Sequence, residues 1–420
     1  MIKFEKHILK NGLTIIAHYD KNTPIAAFNM LYNVGSKDEN PEHTGLAHLF
    51  EHLMFEGSAN VKEFDSELQS AGGENNAFTN NDITNYYITL PVKNIETAFY
   101  LESDRMFQPA FSEEKLVTQK NVVIEEFKQS YLNQPYGDVM LLLRPLCYKV
   151  HPYQWSTIGK SIDHVAKTEM NHVKDFFNKY YKPDNAILSV AGNISCDEVF
   201  RLAEKWFGDI EPSGITKEKL PVEPPQKEKR FLKVDRDVPY DEIYMAFHMP
   251  GREHNDYPAV DLISDILGNG HSSRLYRQLL KNKKLFSSIN AYVTGSLEPG
   301  LLMLYGRLNK GVAIDVADRE LNNIVGGLLK NKPTENELQK VKNKVEVANS
   351  YADINVLPKA MNLAYYEYLG DADKVNHQTQ RYFDVSSEDI LRLSKQLLHT
   401  DNLSVMHYCS NQKNNTENDK

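Results

Sequence analysis

The sequence predicts an α+β fold made of two similar halves. Three observations carry this expectation. Strand-like alternation repeatedly gives way to apolar residues at helical spacing, a stretch rich in proline and charge falls at the middle of the chain, and one segment is echoed. The echo pairs KDFFNKYYKPDNAILSV (174–190) with LRLSKQLLHTDNLSV (391–405), each a helix, an Asp-Asn pair and a Leu-Ser-Val strand. The offset of the Asp-Asn pairs, 401 − 184 = 217, is about half of the 420 residues. Duplication accounts for this most simply. Residues 1–210 are assigned to the first half and 231–410 to the second. Between them 211–230 (EPSGITKEKLPVEPPQKEKR), with four prolines and little apolar pattern, reads as a linker. The polar tail 411–420 is expected to be disordered.

The chain opens on a hairpin, with Asn11-Gly12 suited to a type I′ turn and Leu13, Ile15 and Ala17 alternating after it. A second alternating run holds Ala26, Phe28, Met30, Tyr32 and Val34. Leu46, Leu49, Leu53 and Met54 then recur at helical spacing, with Thr44 as the expected N-cap. AGGENNAFTNND reads as a loop, TNYYITL as a strand, and residues near 93–108 and 113–132 as two helices. Glu113 and Glu114 after Ser112 suit a helix's first turn, where the macrodipole favours negative charge. In the second half DEIYMAFHM is a strand, a helix ends at Gly268-Asn269-Gly270, Ser272 to Lys281 follow, and GLLMLYG is another strand.

Composition sets limits on function. A net charge of −9 argues against broad nucleic-acid binding, which needs a basic face to displace counterions from phosphates. Cys147, Cys196 and Cys409 form no CxxC, so neither a disulfide framework nor a thiolate zinc site is suggested. There is no signal-like apolar stretch at the start and no run of about 18 apolar residues. A cytoplasmic protein without a membrane span is expected, or a periplasmic one if a signal was removed.

The sharpest signal is His48-Leu49-Phe50-Glu51-His52. On a helix, positions i and i+4 share a face, so both imidazoles reach one ion while Glu51 lies beside them. Neutral imidazole suits zinc, a catalytic zinc site keeps a position for water, and a carboxylate beside it takes that water's proton. With 14 histidines in the chain, chance supplies only about 0.03 HxxEH matches. A third ligand is needed, and Glu125 and Glu126 in NVVIEEFKQS are the candidates. Glu126 neighbours Val122 and Val123 at helical spacing and is the inward one, whereas Glu125 neighbours Asn121, Lys128 and Gln129.

HLFEH, followed at a distance by Glu126 in a VVIEEF helix, resembles the pitrilysin/insulinase family of inverted zinc metallopeptidases. The likeness runs from the NGL hairpin through GSKDENPEHTGLAHLFEHLMFEGS and GGENNAFTNNDITNYY to GNGHSSRLY, nearly the whole chain. It matches the short, two-domain bacterial and mitochondrial-processing type. The resemblance implies two α/β-roll halves, each a mostly antiparallel sheet packed with helices. It also implies that His48, His52 and Glu126 bind one zinc per chain and that Glu51 is the general base. Gly72 to Tyr87 would supply an edge strand for an extended peptide, with Asn76, Ala77 and Thr79 as substrate contacts. Gln119 stands where the family usually has a glutamate, so it keeps a hydrogen bond behind the ligands without a charge.

In the family an arginine follows SSRL and a tyrosine comes two helical turns later, both serving the developing oxyanion. Leu280 and Ser287 occupy those positions here, and neither can do that. Arg274 and Tyr276 read as structural. The function expected is a zinc endopeptidase for short or unfolded peptides. It would be the catalytic subunit of a heteromer whose non-zinc homologue supplies the arginine and tyrosine, or otherwise a homodimer. The alternatives are a noncatalytic assembly subunit of the same fold and a peptidase that removes targeting presequences.

Overall fold

A computed structural model describes residues 1–214, 216 and 218–411. Apart from Asn411, the tail expected to be disordered lies outside the described residues. The chain divides into two compact units, each discontinuous in sequence. Unit 1 holds Met1–Tyr131, Trp155–Pro221 and Asn349–His377, and unit 2 holds Leu132–Gln154, Val222–Ala348 and Gln378 onward. The contiguous halves expected from the sequence are corrected on this point, because each half places one helical segment in the other unit.

Unit 1 contains strands β1 (Glu5–Ile8), β2 (Thr14–Tyr19), β3 (Ile25–Tyr32), β4 (Glu74–Thr79), β5 (Thr84–Pro91) and β6 (Ala186–Gly192). They form one sheet in the order β1-β2-β6-β3-β5-β4. Only β2 and β6 pair in parallel. Unit 2 contains β7 (Arg230–Arg236), β8 (Glu242–Met249), β9 (Phe286–Val293), β10 (Gly300–Leu308) and β11 (Leu403–Ser410), ordered β7-β11-β8-β10-β9. Its single parallel pair is β7 with β11. Substituting β7 to β11 for β2 to β6 in sequence reproduces the order of the first sheet without β1, which is the topology a duplication requires. The echoed segments are β6 and β11, preceded by the helices Met170–Tyr180 and Ser387–Leu397.

Both faces of each sheet are covered, and so the strands do not alternate as a one-sided sheet would. In β3 Ala27, Asn29 and Leu31 are as buried as Ala26, Phe28 and Met30. Phe28 packs edge-on against Phe99 of the helix Ile95–Phe107, with ring centroids 5.0 Å apart. The opposite face is covered by the helix Val356–Tyr368, whose Leu363 meets Ile16 and whose Ala360 meets Ala27 and Ala191. Burying one such leucine is worth roughly 1.5–3 kcal/mol. The second sheet is covered likewise by the helix Val139–Cys147, whose Leu143 packs with Tyr244, Met303 and Met406. The two exchanged helices start at Val139 and Val356, and that separation equals the offset of the echo, so the exchange is itself duplicated.

The opening hairpin has a longer connection than a two-residue turn, since Ile8 pairs with Thr14. Gly12 takes a positive φ of 90°, and the Asn11 amide is committed to the carbonyls of Phe207 and Ile210 at 2.7 and 2.9 Å. The unit boundary falls inside the expected linker, between Pro221 and Val222. Beyond it Glu223 accepts the backbone N–H groups of Lys149, Val150 and His151, and Gln226 donates to the Leu403 carbonyl, so this stretch is fastened to unit 2.

Candidate metal centre

The centre is built on the helix Leu46–Leu53, whose Leu46, Leu49, Phe50 and Leu53 face the core. Phe50 packs against Tyr181 and Phe111 at 4.2 and 5.4 Å, and this fixes the rotation of the helix. His48, Glu51 and His52 are left on the less buried side. Thr44, the expected N-cap, does not cap it. The Thr44 hydroxyl is shared between His164 Nδ1 and the Lys160 amide, and Gly45 takes the cap position at a φ of 92°. A Cβ at Gly45 would stand 2.8 Å from the Ile158 carbonyl oxygen, which rules out other residues there.

The orphan N–H groups of the first turn are met from further upstream. The buried Glu39 carboxylate accepts Gly45 N–H at 3.0 Å, Ala47 N–H at 2.8 Å and the Trp155 indole N–H at 3.1 Å. Burial pushes the Glu39 carboxyl up to about 8 against these three donors. No short-range rule finds this residue, because the capping signal is sought within three positions of the helix start.

Glu126 comes from the helix Glu113–Phe127, started by Ser112, which accepts the Lys115 N–H at 3.2 Å. Its Oε2 lies 3.7 Å from His48 Nε2 and 3.6 Å from His52 Nε2. One ligand atom from each of the three residues falls within 4.8 Å of the others, and no other such trio occurs among the described residues. Two atoms about 2.1 Å from a tetrahedral centre stand about 3.4 Å apart, so the three groups fit zinc with only small movement. They are too far apart to hydrogen-bond one another, which is the spacing expected of ligands around an ion. The two rings stand at 87° with centroids 4.9 Å apart, each presenting a nitrogen edge to the carboxylate.

Electrostatics suits the same use. Burial, opposed by Glu126, lowers the His48 imidazole to about 4 and keeps it neutral, as a metal ligand must be. The neighbouring His52, with a smaller contribution from His48, holds the Glu126 carboxyl below the usual range. Burial raises the Glu51 carboxyl, and the neighbouring Thr79 opposes the rise.

Glu125 is exposed and pairs with Lys128 at 2.6 Å. Gln119 donates to the Glu56 carboxylate and to no metal ligand, and its own carbonyl oxygen is buried without a protein partner. Residues 74–79 form the edge strand β4 and not a loop. Asn76 is exposed there, and its side-chain oxygen accepts the Ala77 N–H at 2.8 Å. Leu280 packs against the core of unit 2, and exposed Ser287 donates to the Arg307 carbonyl at 3.3 Å. Arg274 pairs with Glu337 at 2.9 Å, and Tyr276 stacks on His271 at 4.7 Å.

The duplication offers an internal contrast. On the helix Tyr257–Gly268, the first after β8 as Leu46–Leu53 is the first after β3, Asp261, Ser264 and Asp265 repeat the spacing of His48, Glu51 and His52. There Lys344 reaches Asp265 at 3.2 Å and Tyr382 donates to Asp261 at 2.6 Å, so an internal cation and a phenol satisfy the carboxylates.

Residues 14–146 match the model of the insulinase family (peptidase family M16), and 168–345 match that of the M16 peptidase inactive domain. The chain is 28% identical over 407 residues to the zinc protease PqqE of Helicobacter pylori, covering 94% of this chain and 90% of that protein. It is 30% identical over 310 residues to an uncharacterised zinc protease, YmxG, of Bacillus subtilis, covering 73% of each. A crystal structure of a protease from Helicobacter pylori superposes with a TM-score of 0.92 at 27% identity, over 97% of this chain and 100% of that one. Among the described residues no helix is long and apolar enough to cross a membrane. With its duplicated sheets and His-His-Glu trio, the chain belongs to the insulinase family of M16 peptidases.

Proposed function

We propose that this chain is a zinc endopeptidase that cuts short or unfolded peptides and serves as the catalytic subunit of a heteromer. The observation that carries the reading is the convergence of His48, His52 and Glu126, with Glu51 beside them on the ligand-bearing helix. These three side chains would hold one zinc per chain. Zinc, when bound, lowers the pKa of a water toward 7 and polarises a carbonyl. Glu51 would take a proton from water at its carboxylate and pass it to the leaving nitrogen. Thr79, which lies beside that carboxylate, would orient it.

β4 lies at the sheet edge, which supports strand addition by an extended substrate. Asn76, folded onto the Ala77 amide, would release that N–H to a substrate carbonyl. A catalytic role is favoured over a scaffold role because His48, Glu51, His52 and Glu126 all fall within 14–146, outside the part matching the inactive domain.

The heteromer rests on Leu280 and Ser287, which offer neither a cation nor a phenol. Losing a single oxyanion donor costs about 10² to 10³ in kcat, so the chain alone should be slow. The test is an assay of the purified, zinc-loaded chain against unstructured peptides, alone and with a copurifying homologue. Weak turnover restored by the homologue is expected. Full turnover by a homomer would remove the partner and leave the peptidase. No cleavage under either condition would favour the scaffold.

A further inference from the structure

Unit 2 holds a polar cavity of about 380 Å³ whose lining includes Ser272, Arg274, Arg277, Gln278, Asn323 and Gly327. Its charge is unbalanced. Glu337, the acid in the lining, is committed to Arg274 at 2.9 and 3.0 Å and to the Thr334 N–H at 3.0 Å. The Arg274 guanidinium holds the Glu337 carboxyl down at about 2. Arg277 is exposed, and among the described residues its side chain has no hydrogen-bond or ion-pair partner. Lys340 donates to the Ser272 hydroxyl at 2.9 Å and so stands at the same wall. Arg274 and Arg277 against Glu337 leave 2 − 1 = 1 positive charge in the lining, with Lys340 beside it at Ser272, in a chain whose net charge is −9.

The wall itself supports a ligand. The helix Ile314–Lys330 contains Gly326 and Gly327 near its C-terminal end, and each interior glycine disfavours a helix by about 1 kcal/mol relative to alanine. A Cβ at Gly327 would meet nothing within 4 Å, so packing inside the unit does not require glycine there. A side chain at that position would enter the cavity.

We propose that this cavity binds an anionic oxygen group, the terminus of a phosphate or of a peptide carboxylate, with Arg277 as its direct partner. A guanidinium presents two parallel N–H donors to such a group, which suits Arg277 for the role. Lys340 adds charge and the Gln278 amide adds donors around the rim, while the Asn323 amide donates to Glu320 at 3.4 Å. The lining residues all belong to unit 2, and the test of binding needs no peptidase activity.

Calorimetric titration of the full chain at low ionic strength, first with inorganic phosphate, is the test. A hexapeptide with a free C-terminus and its C-terminal amide follow, each in the presence and absence of phosphate. Saturable phosphate binding is expected, weakened about 10 to 100-fold by Arg277→Gln and by Gly327→Leu. If the free-acid peptide competes with phosphate and its amide does not, the natural ligand is a peptide end. If phosphate alone binds, it is a free or esterified phosphate. Absence of saturable binding by either probe would overturn the assignment. So would affinities unchanged in both variants when circular dichroism shows them folded.

Discussion

Glu51→Gln is expected to lower peptide hydrolysis by about 10² to 10⁴-fold while leaving the metal content unchanged. Glutamine keeps the volume of the side chain and one acceptor for Thr79, so the helix face is undisturbed. It cannot take a proton from water. Glu51 is not among the three converging ligand groups, and the ion's coordination should therefore survive the change. His48→Ala is the complementary variant, since it removes a ligand nitrogen and should lose metal and activity together. Comparing rates at equal zinc occupancy separates the two effects. A Glu51→Gln enzyme that cleaved at the wild-type rate would show that another group handles the proton.

Glu102→Gln is expected to destabilise unit 1 by about 3–5 kcal/mol, because it leaves a buried guanidinium without its counter-charge. Glu102 and Arg105 are 0% and 1% exposed, and Arg105 Nε donates to the carboxylate at 2.8 Å. The guanidinium lies 4.3 Å from the Tyr86 ring centroid and 4.6 Å from that of Phe64, beneath the strand that pairs with β4. Glu198 and Arg201 make a pair of the same i,i+3 spacing at the surface, where solvent screens it and its loss should cost little. Denaturant unfolding of the two variants in parallel measures the contrast. Replacing both buried partners, Glu102→Leu with Arg105→Met, should recover most of the loss. Equal costs for the buried and exposed single variants would contradict this account.

Local chemistry was legible in the sequence wherever a single element carries it. The HLFEH face, the acidic first turn at Glu113 and Glu114 and the inward Glu126 each depend on helical spacing alone, and the structure brings His48, His52 and Glu126 together. Features that depend on distant segments were not legible. The alternation of Ala26, Phe28, Met30, Tyr32 and Val34 marks one face of β3, but nothing local to β3 shows that the helix Val356–Tyr368, from the far end of the chain, covers the other face at Ala27 and Leu31. The same exchange, with Val139–Cys147 on the second sheet, is why contiguous halves failed as a description of the units. Thr44 was a sound cap by local rules, yet Glu39 reaches the helix start with two acceptor oxygens and Thr44 is drawn to His164. Residues 74–79 read as a loop because Asn and Gly disfavour strands, and pairing with β5 overrides that preference.

Whether His48, His52 and Glu126 form one metal centre is decided by elemental analysis of protein purified without chelator. One zinc per chain is expected in the wild type and in Glu51→Gln, and close to none in His48→Ala. A wild-type protein without zinc, or a His48→Ala protein that keeps it, would contradict the claim.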